Sequence, residues 1–362
     1  MDAHARPRSG SRSGTGESGQ PASRRDLLQQ IYRVALATRL VDERLWLMSR
    51  QGRVSFVITP RGHEVAQVAS AAAVRVGLDT AWPYYRDMGV GLALGVSPYE
   101  IFLGGLGRAD DPHSGARQLT AHLSSKALGI GTVSSAIAAQ VPHAVGAAYA
   151  AIVLQTGSVA FCWMGEGAMS AGQTHEAMNL AAVHRFPVVF LIENNGHAIS
   201  VPQALQMPIK SVAERAAGYA MPGVSVDGAD PIAVYDATTG ARDRAMRGEG
   251  PTLIELRVVR MTPHSSQDDD AYRTAAEKTA AVEKDPLPKL RAALIAACVM
   301  TEPGADELAT ALRERVLADE DLALSQPEPD ASRARRWLYA GDEPHVFASP
   351  PSQPSWQGVV GG

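Results

Sequence analysis

The sequence predicts an α/β fold, a parallel sheet flanked by helices with a helical extension at the C-terminal end. Three short apolar strands predict it: "SVAFCW" (158–163), "PVVFLIE" (187–193) and "PTLIELRVV" (251–259). Helical stretches separate them, "QTHEAMNLAAVHR" (173–185) and "DPIAVYDATTGARDRAMRGEG" (230–250). Strands spaced by helices of this length join through right-handed crossovers into a parallel sheet. Composition agrees with a globular domain: of 362 residues, 45% are hydrophobic and 20% charged.

In chain order, the first 23 residues are rich in Arg, Ser and Gly, without the apolar segment a signal peptide needs, and read as a disordered tail. Order begins with "SRRDLLQQIYRVALATRLVDERLWLMSRQG", where Ser23 and Asp26 form a capping-box-like start and Gly52 a stop. Leu27, Ile31, Val34, Val41, Leu45 and Met48 recur at helical steps, which predicts one buried face. His63, in "RGHEVAQ", begins another apolar helical pattern and reads as structural. The run "AIAAQVPHAVGAAYAAIVL" (136–154) approaches spanning length, but Gln140, Pro142 and His143 interrupt it, so it reads as a close-packed buried helix and not a membrane span. "VSVDG" (224–228) is a further strand, and Asp230 and Pro231 cap the helix that follows. An α/β domain over 24–283, a helical extension over 284–345 and a flexible tail over 346–362 complete the expected organisation.

Function classes narrow quickly. A formal net charge of −4 and the absence of a basic stripe give no reason to expect nucleic acid as a partner. Cys162 and Cys298 form neither a CxxC pair nor a disulfide framework; Cys162 lies in an apolar run, as a buried free thiol in a reducing cytoplasm would.

The informative stretch is "WMGEGAMSAG" (163–172), which places Glu166 between two glycines at a strand end. The next strand ends at "NNG", so one βαβ unit brings Glu166 and Asn195 to the same rim, where ligands of such sheets bind. A carboxylate, an amide oxygen and a loop carbonyl are hard ligands, suited to magnesium or calcium. A bare Glu beside a diphosphate would oppose binding by about 4 kcal/mol at intermediate dielectric, whereas a Glu holding a divalent cation favours it. A helix start near residue 172 adds a favourable partial charge. A metal-free dinucleotide site is the competing reading, but Ser170 stands where its third glycine belongs.

"GEGAMSAGQTHEAMNLAAVHRFPVVFLIENNGHAIS" (165–200) resembles the thiamine-diphosphate motif, and specifically the α subunit of 2-oxo acid dehydrogenases. "YYRDMGVGLALG", "GARQLTAH", "GTVSSAIAAQVPHAVGAAYAA" and "RMTPHSSQDDDAYR" match segments of the same family in order, so the resemblance runs from about 26 to 300. It implies the diphosphate-binding half of the thiamine-diphosphate fold. It makes Glu166, Asn195 and the His197 carbonyl the Mg²⁺ ligands. His197 replaces a usual Tyr, but a carbonyl ligand does not need that side chain. Tyr85 and Arg86 match residues holding the diphosphate, with Gly165, Gly167 and Ala168 around it. A bland reading pairs Arg86 with Asp87 on the surface. Ser135 and Ile137 match positions that meet the aminopyrimidine and bend the cofactor. His264 and His122 match active-site histidines, a residue type that titrates near neutral pH. Leu119 stands where Met is frequent, Ala139 where a Thr helps hold potassium, and Glu193 where some relatives carry a phosphate-binding Arg.

The implied chemistry is decarboxylation of a 2-oxo acid and transfer of the acyl unit to a lipoyl group on an acyltransferase component. "RQLTAH" and "PHSSQDDDAYR" look more like branched-chain members than pyruvate or acetoin members. The resemblance also implies a β subunit that supplies the pyrimidine-binding half, in an assembly of two α and two β chains. A non-catalytic relative that binds the cofactor without turnover is the alternative of a different class.

Overall fold

The computed structural model describes residues 23–335; the expected tails lie outside it except for Ser23, as does the end of the expected extension. Helix α1 (Arg24–Arg50) starts where the Ser23 hydroxyl accepts the Asp26 N–H at 3.2 Å, and its predicted apolar stripe is buried throughout. Helix α2 (Glu64–Ala71), strand β1 (Thr80–Trp82), and helices α3 (Met88–Leu94) and α4 (Pro98–Leu106) follow. Then come α5 (Gln140–Val153), β2 (Ala160–Gly165), α6 (Gly172–Val183) and β3 (Val188–Asn194). A small antiparallel hairpin, β4 (His197–Ala198) and β5 (Val201–Pro202), leads to α7 (Gln203–Gln206). Strand β6 (Gly223–Asp227), α8 (Pro231–Met246) and β7 (Thr252–Arg257) complete the sheet. Helices α9 (Ala275–Glu283), α10 (Pro286–Ala296) and α11 (Glu302–Leu324) close the described chain.

The five-stranded sheet runs β1-β2-β3-β7-β6 and all its pairs are parallel. Right-handed crossovers that step in opposite directions place their helices on opposite faces. Thus α6, joining β2 to β3, covers one face, while α8, returning from β6 to β7, covers the other. The strands show both faces in their alternation. Phe161, Trp163, Val189 and Leu191 enter the core shared with α1 to α4. Ala160, Cys162, Met164, Phe190 and Ile192 enter the core under α5 and α6. Helices α10 and α11 pack into the first core through Leu290, Leu294, Leu308 and Leu312. Arg39 pairs with Asp285 and Arg44 with Glu320 across the same seam.

One expectation is corrected here. Helix α5 is not buried all round: Val141, Ala144, Val145 and Ala148 face the sheet, while Tyr149, Ile152 and Val153 are exposed, followed by Leu154. Its sequence is apolar on every side, so periodicity had no polar face to reveal. Helix α6 starts at Gly172, as expected, after a 3₁₀ turn, Glu166–Ser170. Cys162 is a buried free thiol, as expected, and Cys298 is free and exposed. Among the described residues, no helix is long and apolar enough to cross a membrane.

Candidate active site

A cavity of about 290 Å³ opens at the carboxyl ends of β2 and β3. Tyr85, Arg86, Ser135, Ile137, Gly165, Glu166, Gly167, Ala168, Asn195, His197 and His264 all line it. His122 does not; it stands behind Ser135, with its Nε2 2.6 Å from the Ser135 hydroxyl. The candidate residues, drawn from five separate segments, thus converge on one place.

The sheet register explains the rim. Gly165 of β2 sits opposite Glu193 of β3, so the residues just beyond, Glu166 and Asn195, emerge side by side. The Asn195 N–H points at Glu166 Oε2 from 3.4 Å. Glu166 is 1% exposed, and its Oε1 has no hydrogen-bond partner. Burial pushes its carboxyl above the usual value, although backbone N–H groups and Arg260 and Arg86 pull the other way. An orphaned, buried carboxylate oxygen beside an amide oxygen and a hairpin carbonyl suits a hard divalent cation. Among the described residues, no group of three or more His, Cys, Asp or Glu is placed to hold a metal ion; a set of one carboxylate, one amide and one carbonyl has a different composition.

Gly167 is required by close packing. A Cβ there would come within 2.9 Å of the Ala198 Cβ on the hairpin. Gln206 pins the same turn by donating to the carbonyls of Glu166 and Gly167 at 3.3 and 3.1 Å. Gly165 has no such need, since its added Cβ would meet only Tyr84 at 3.8 Å.

Arg86 is 2% exposed and does not pair with Asp87. It donates to the Thr59 carbonyl at 2.6 Å and to the carbonyl and Nδ1 of His264. Asp87 instead accepts the Tyr84 N–H and a Gln67 amide proton, and burial together with the Glu193 carboxylate pushes its carboxyl well up. Among the described residues, no carboxylate forms an ion pair with Arg86, so a buried positive charge faces the cavity in a form suited to an anion.

His264 rides on a loop tied from within. Its N–H donates to Asp268, which also accepts the Tyr272 hydroxyl at 2.6 Å. Arg273 spans the loop base, donating to the carbonyls of Arg260 and Thr262 and pairing with Asp270. Burial, then Arg86 and Arg260, lower the His264 imidazole to about 4. His122 is lowered by burial too, and its Nδ1 faces the Thr120 carbonyl, leaving Nε2 to accept the Ser135 proton.

Sequence reasoning missed several contributors. His63 is fully buried, with Nδ1 2.6 Å from Glu193 Oε2 and Nε2 3.4 Å from Asn195 Nδ2. Arg260 holds the Ile199 carbonyl and the Tyr272 hydroxyl beneath the cavity. Gln206, Phe56 and Ile58 carried no signal in a single sequence.

Comparison with known proteins first gives the class. The family described as "Dehydrogenase E1 component" matches residues 32–332, and the chain belongs to it. This is a thiamine-diphosphate-dependent oxidoreductase family, the one the GEG…NN stretch resembles, and its α/β fold with a parallel sheet is the one seen here. More particularly, the chain is 44% identical over 299 residues to the 2-oxoisovalerate dehydrogenase subunit alpha of Bacillus subtilis, covering 82% of this chain and 89% of that protein. It is 35% identical over 343 residues to the 3-methyl-2-oxobutanoate dehydrogenase subunit alpha of Mycobacterium tuberculosis, covering 92% and 90%. The mitochondrial 2-oxoisovalerate dehydrogenase subunit alpha of Mus musculus is 39% identical over 269 residues, covering 74% and 60%.

Proposed function

We propose that this chain is the α subunit of a branched-chain 2-oxo acid dehydrogenase, acting in the cytoplasm with a β subunit as two α and two β chains. The observation that carries this reading is the orphaned Glu166 Oε1 beside Asn195, in one cavity with an arginine that forms no ion pair among the described residues. Glu166, Asn195 and the His197 carbonyl would hold Mg²⁺. Arg86 and Tyr85, with the Gly165–Ala168 turn, would hold the diphosphate of thiamine diphosphate. When bound, the cofactor supplies a thiazolium carbanion and an electron sink for decarboxylation.

The chain's own groups have separate tasks. Ser135 and Ile137, which line the cavity, would hold the pyrimidine end of the cofactor. His264 faces the cavity with Nδ1 already occupied by the Arg86 donor, so Nε2 is the nitrogen that exchanges a proton with substrate. His122 shares a proton with Ser135 at the same wall. Phe56, Ile58, Ile137 and Ile199 give the cavity apolar surface suited to a branched aliphatic chain. Ile137 is 53% exposed at the rim, which fits a cavity closed by a second chain. The bare face of α5 and α6, with Tyr149, Val153, Leu154, Leu180 and Val183 exposed, supports the same partner. A lipoyl-bearing acyltransferase component then takes the acyl group.

The test is decarboxylation of a panel of 2-oxo acids by this chain, alone and with its β chain, using an artificial electron acceptor. The expected result is turnover only of the pair, fastest with 3-methyl-2-oxobutanoate. Turnover by the α chain alone would overturn the half-site reading, and a preference for pyruvate would overturn the substrate.

A further inference from the structure

We infer that His63 is a positioning residue that fixes which end of the Asn195 amide faces the metal. The two ends of a carboxamide match in shape, but only the oxygen can ligate a cation. The His197 backbone N–H lies 3.1 Å from Asn195 Oδ1. A backbone N–H can only donate, so the atom it meets must be the oxygen. The other end is therefore the NH₂ group, and it lies 3.4 Å from His63 Nε2, which must present a lone pair. The imidazole proton then sits on Nδ1, 2.6 Å from Glu193 Oε2. That oxygen also accepts from the Tyr84 hydroxyl at 3.0 Å and the Gln67 amide at 3.1 Å. Three donors converge on one fully buried carboxylate, so each donor and acceptor role in the chain is forced by the next.

The consequence reaches the cation. Asn195 Oδ1 spends one lone pair on the His197 N–H and keeps the other for a ligand. Without an acceptor at His63 Nε2, only the His197 N–H still holds the amide, so turning over to present its N–H groups to the metal becomes easier. Groups behind a ligand orient it in this way at many metal centres. Glu193 thus acts through His63 where an arginine would act on phosphate directly.

The inference rests on the magnesium reading, and its test separates the two. The cofactor-free complex of this chain with its β chain is titrated with Mg²⁺ at fixed thiamine diphosphate by calorimetry, and with Mn²⁺ by electron paramagnetic resonance. His63→Asn keeps a donor for Glu193 but falls short of Asn195, and should lower metal affinity about tenfold to a hundredfold. Its affinity for thiamine diphosphate should return at saturating Mg²⁺. His63→Gln, whose amide oxygen reaches the Nε2 position, should stay within about threefold of the unaltered protein. Unchanged affinity in His63→Asn, or equal loss in both variants, would overturn the role of His63. Should His63→Asn fail to fold, Glu193→Asp replaces it: the shorter carboxylate draws the imidazole away from Asn195, and metal affinity as in the unaltered protein would overturn the inference. An unaltered complex that holds thiamine diphosphate equally with and without Mg²⁺ would instead bring down the magnesium reading itself.

Discussion

The Arg86 guanidinium stands 3.2 Å from Nδ1 of His264, joining residues 178 positions apart across the cavity. A permanent donor at Nδ1 leaves that nitrogen its lone pair, and burial with two nearby arginines lowers the imidazole to about 4. An unfolded histidine titrates near 6.5. Between these values the unfolded chain binds more protons than the folded one, so stability of the ligand-free chain rises with pH. The His264 contribution is complete above about pH 6.5 and is lost as pH falls toward 4. Denaturant unfolding from pH 4 to 7 should show a shallower slope in His264→Gln than in the unaltered chain. Identical slopes would mean the imidazole is not desolvated as the geometry implies.

Asn195→Ala should leave the fold intact, since the residue caps no helix and lies beyond the end of β3. It should abolish Mg²⁺-dependent retention of thiamine diphosphate in the αβ complex. Calorimetry showing unchanged cofactor affinity would remove Asn195 from the site.

Ser265 is 6% exposed, directly beside His264, and its hydroxyl accepts the Gln267 N–H. Ser265→Glu would put a charge into a loop already holding Asp268, Asp269 and Asp270, beside the cavity proposed to take the diphosphate, where like charges repel. Turnover should fall at least about a hundredfold, the loss of roughly 2.7 kcal/mol of transition-state stabilisation. The melting temperature should fall by a few degrees, because Ser265 is buried but lies outside both cores. A fully active variant would show that the loop does not cover the cofactor.

Val153 is 61% exposed on the bare face of α5. Val153→Asp should cost the isolated chain no more than about 0.5 kcal/mol of stability. It should make that chain less prone to self-associate and at the same time block assembly with the β chain, both read by analytical ultracentrifugation. Assembly at unaltered affinity would place the partner on another face.

Legibility in the sequence followed the range of the interaction. The Ser23 and Asp230 caps, the α1 stripe and the βαβ spacing are local patterns, and each is present in the structure. Strand β2 runs two residues later than its apolar stretch predicts, because Gly165 still pairs with Glu193 across the sheet. Strand β1, only three residues long, is too short to show a period. The segments that resemble the family carry most of the residues that line the cavity. His63 begins an apolar helical pattern and caps α2, which a local pattern can show; its contact with Glu193, 130 positions away, is made by tertiary packing that no local pattern encodes. Arg260 and Arg273 were equally silent, since an arginine that holds backbone carbonyls looks in sequence like any surface charge.

Ile137 stands at the cavity rim with half its surface bare. A chain that closes over it would cover part of the cofactor's bed and part of the subunit contact in one step. The two equilibria would then be reciprocal: the factor by which cofactor tightens assembly equals the factor by which assembly tightens cofactor. Dilution of the subunits would release the vitamin-derived group, and scarcity of that group would loosen the subunits, without any separate regulator.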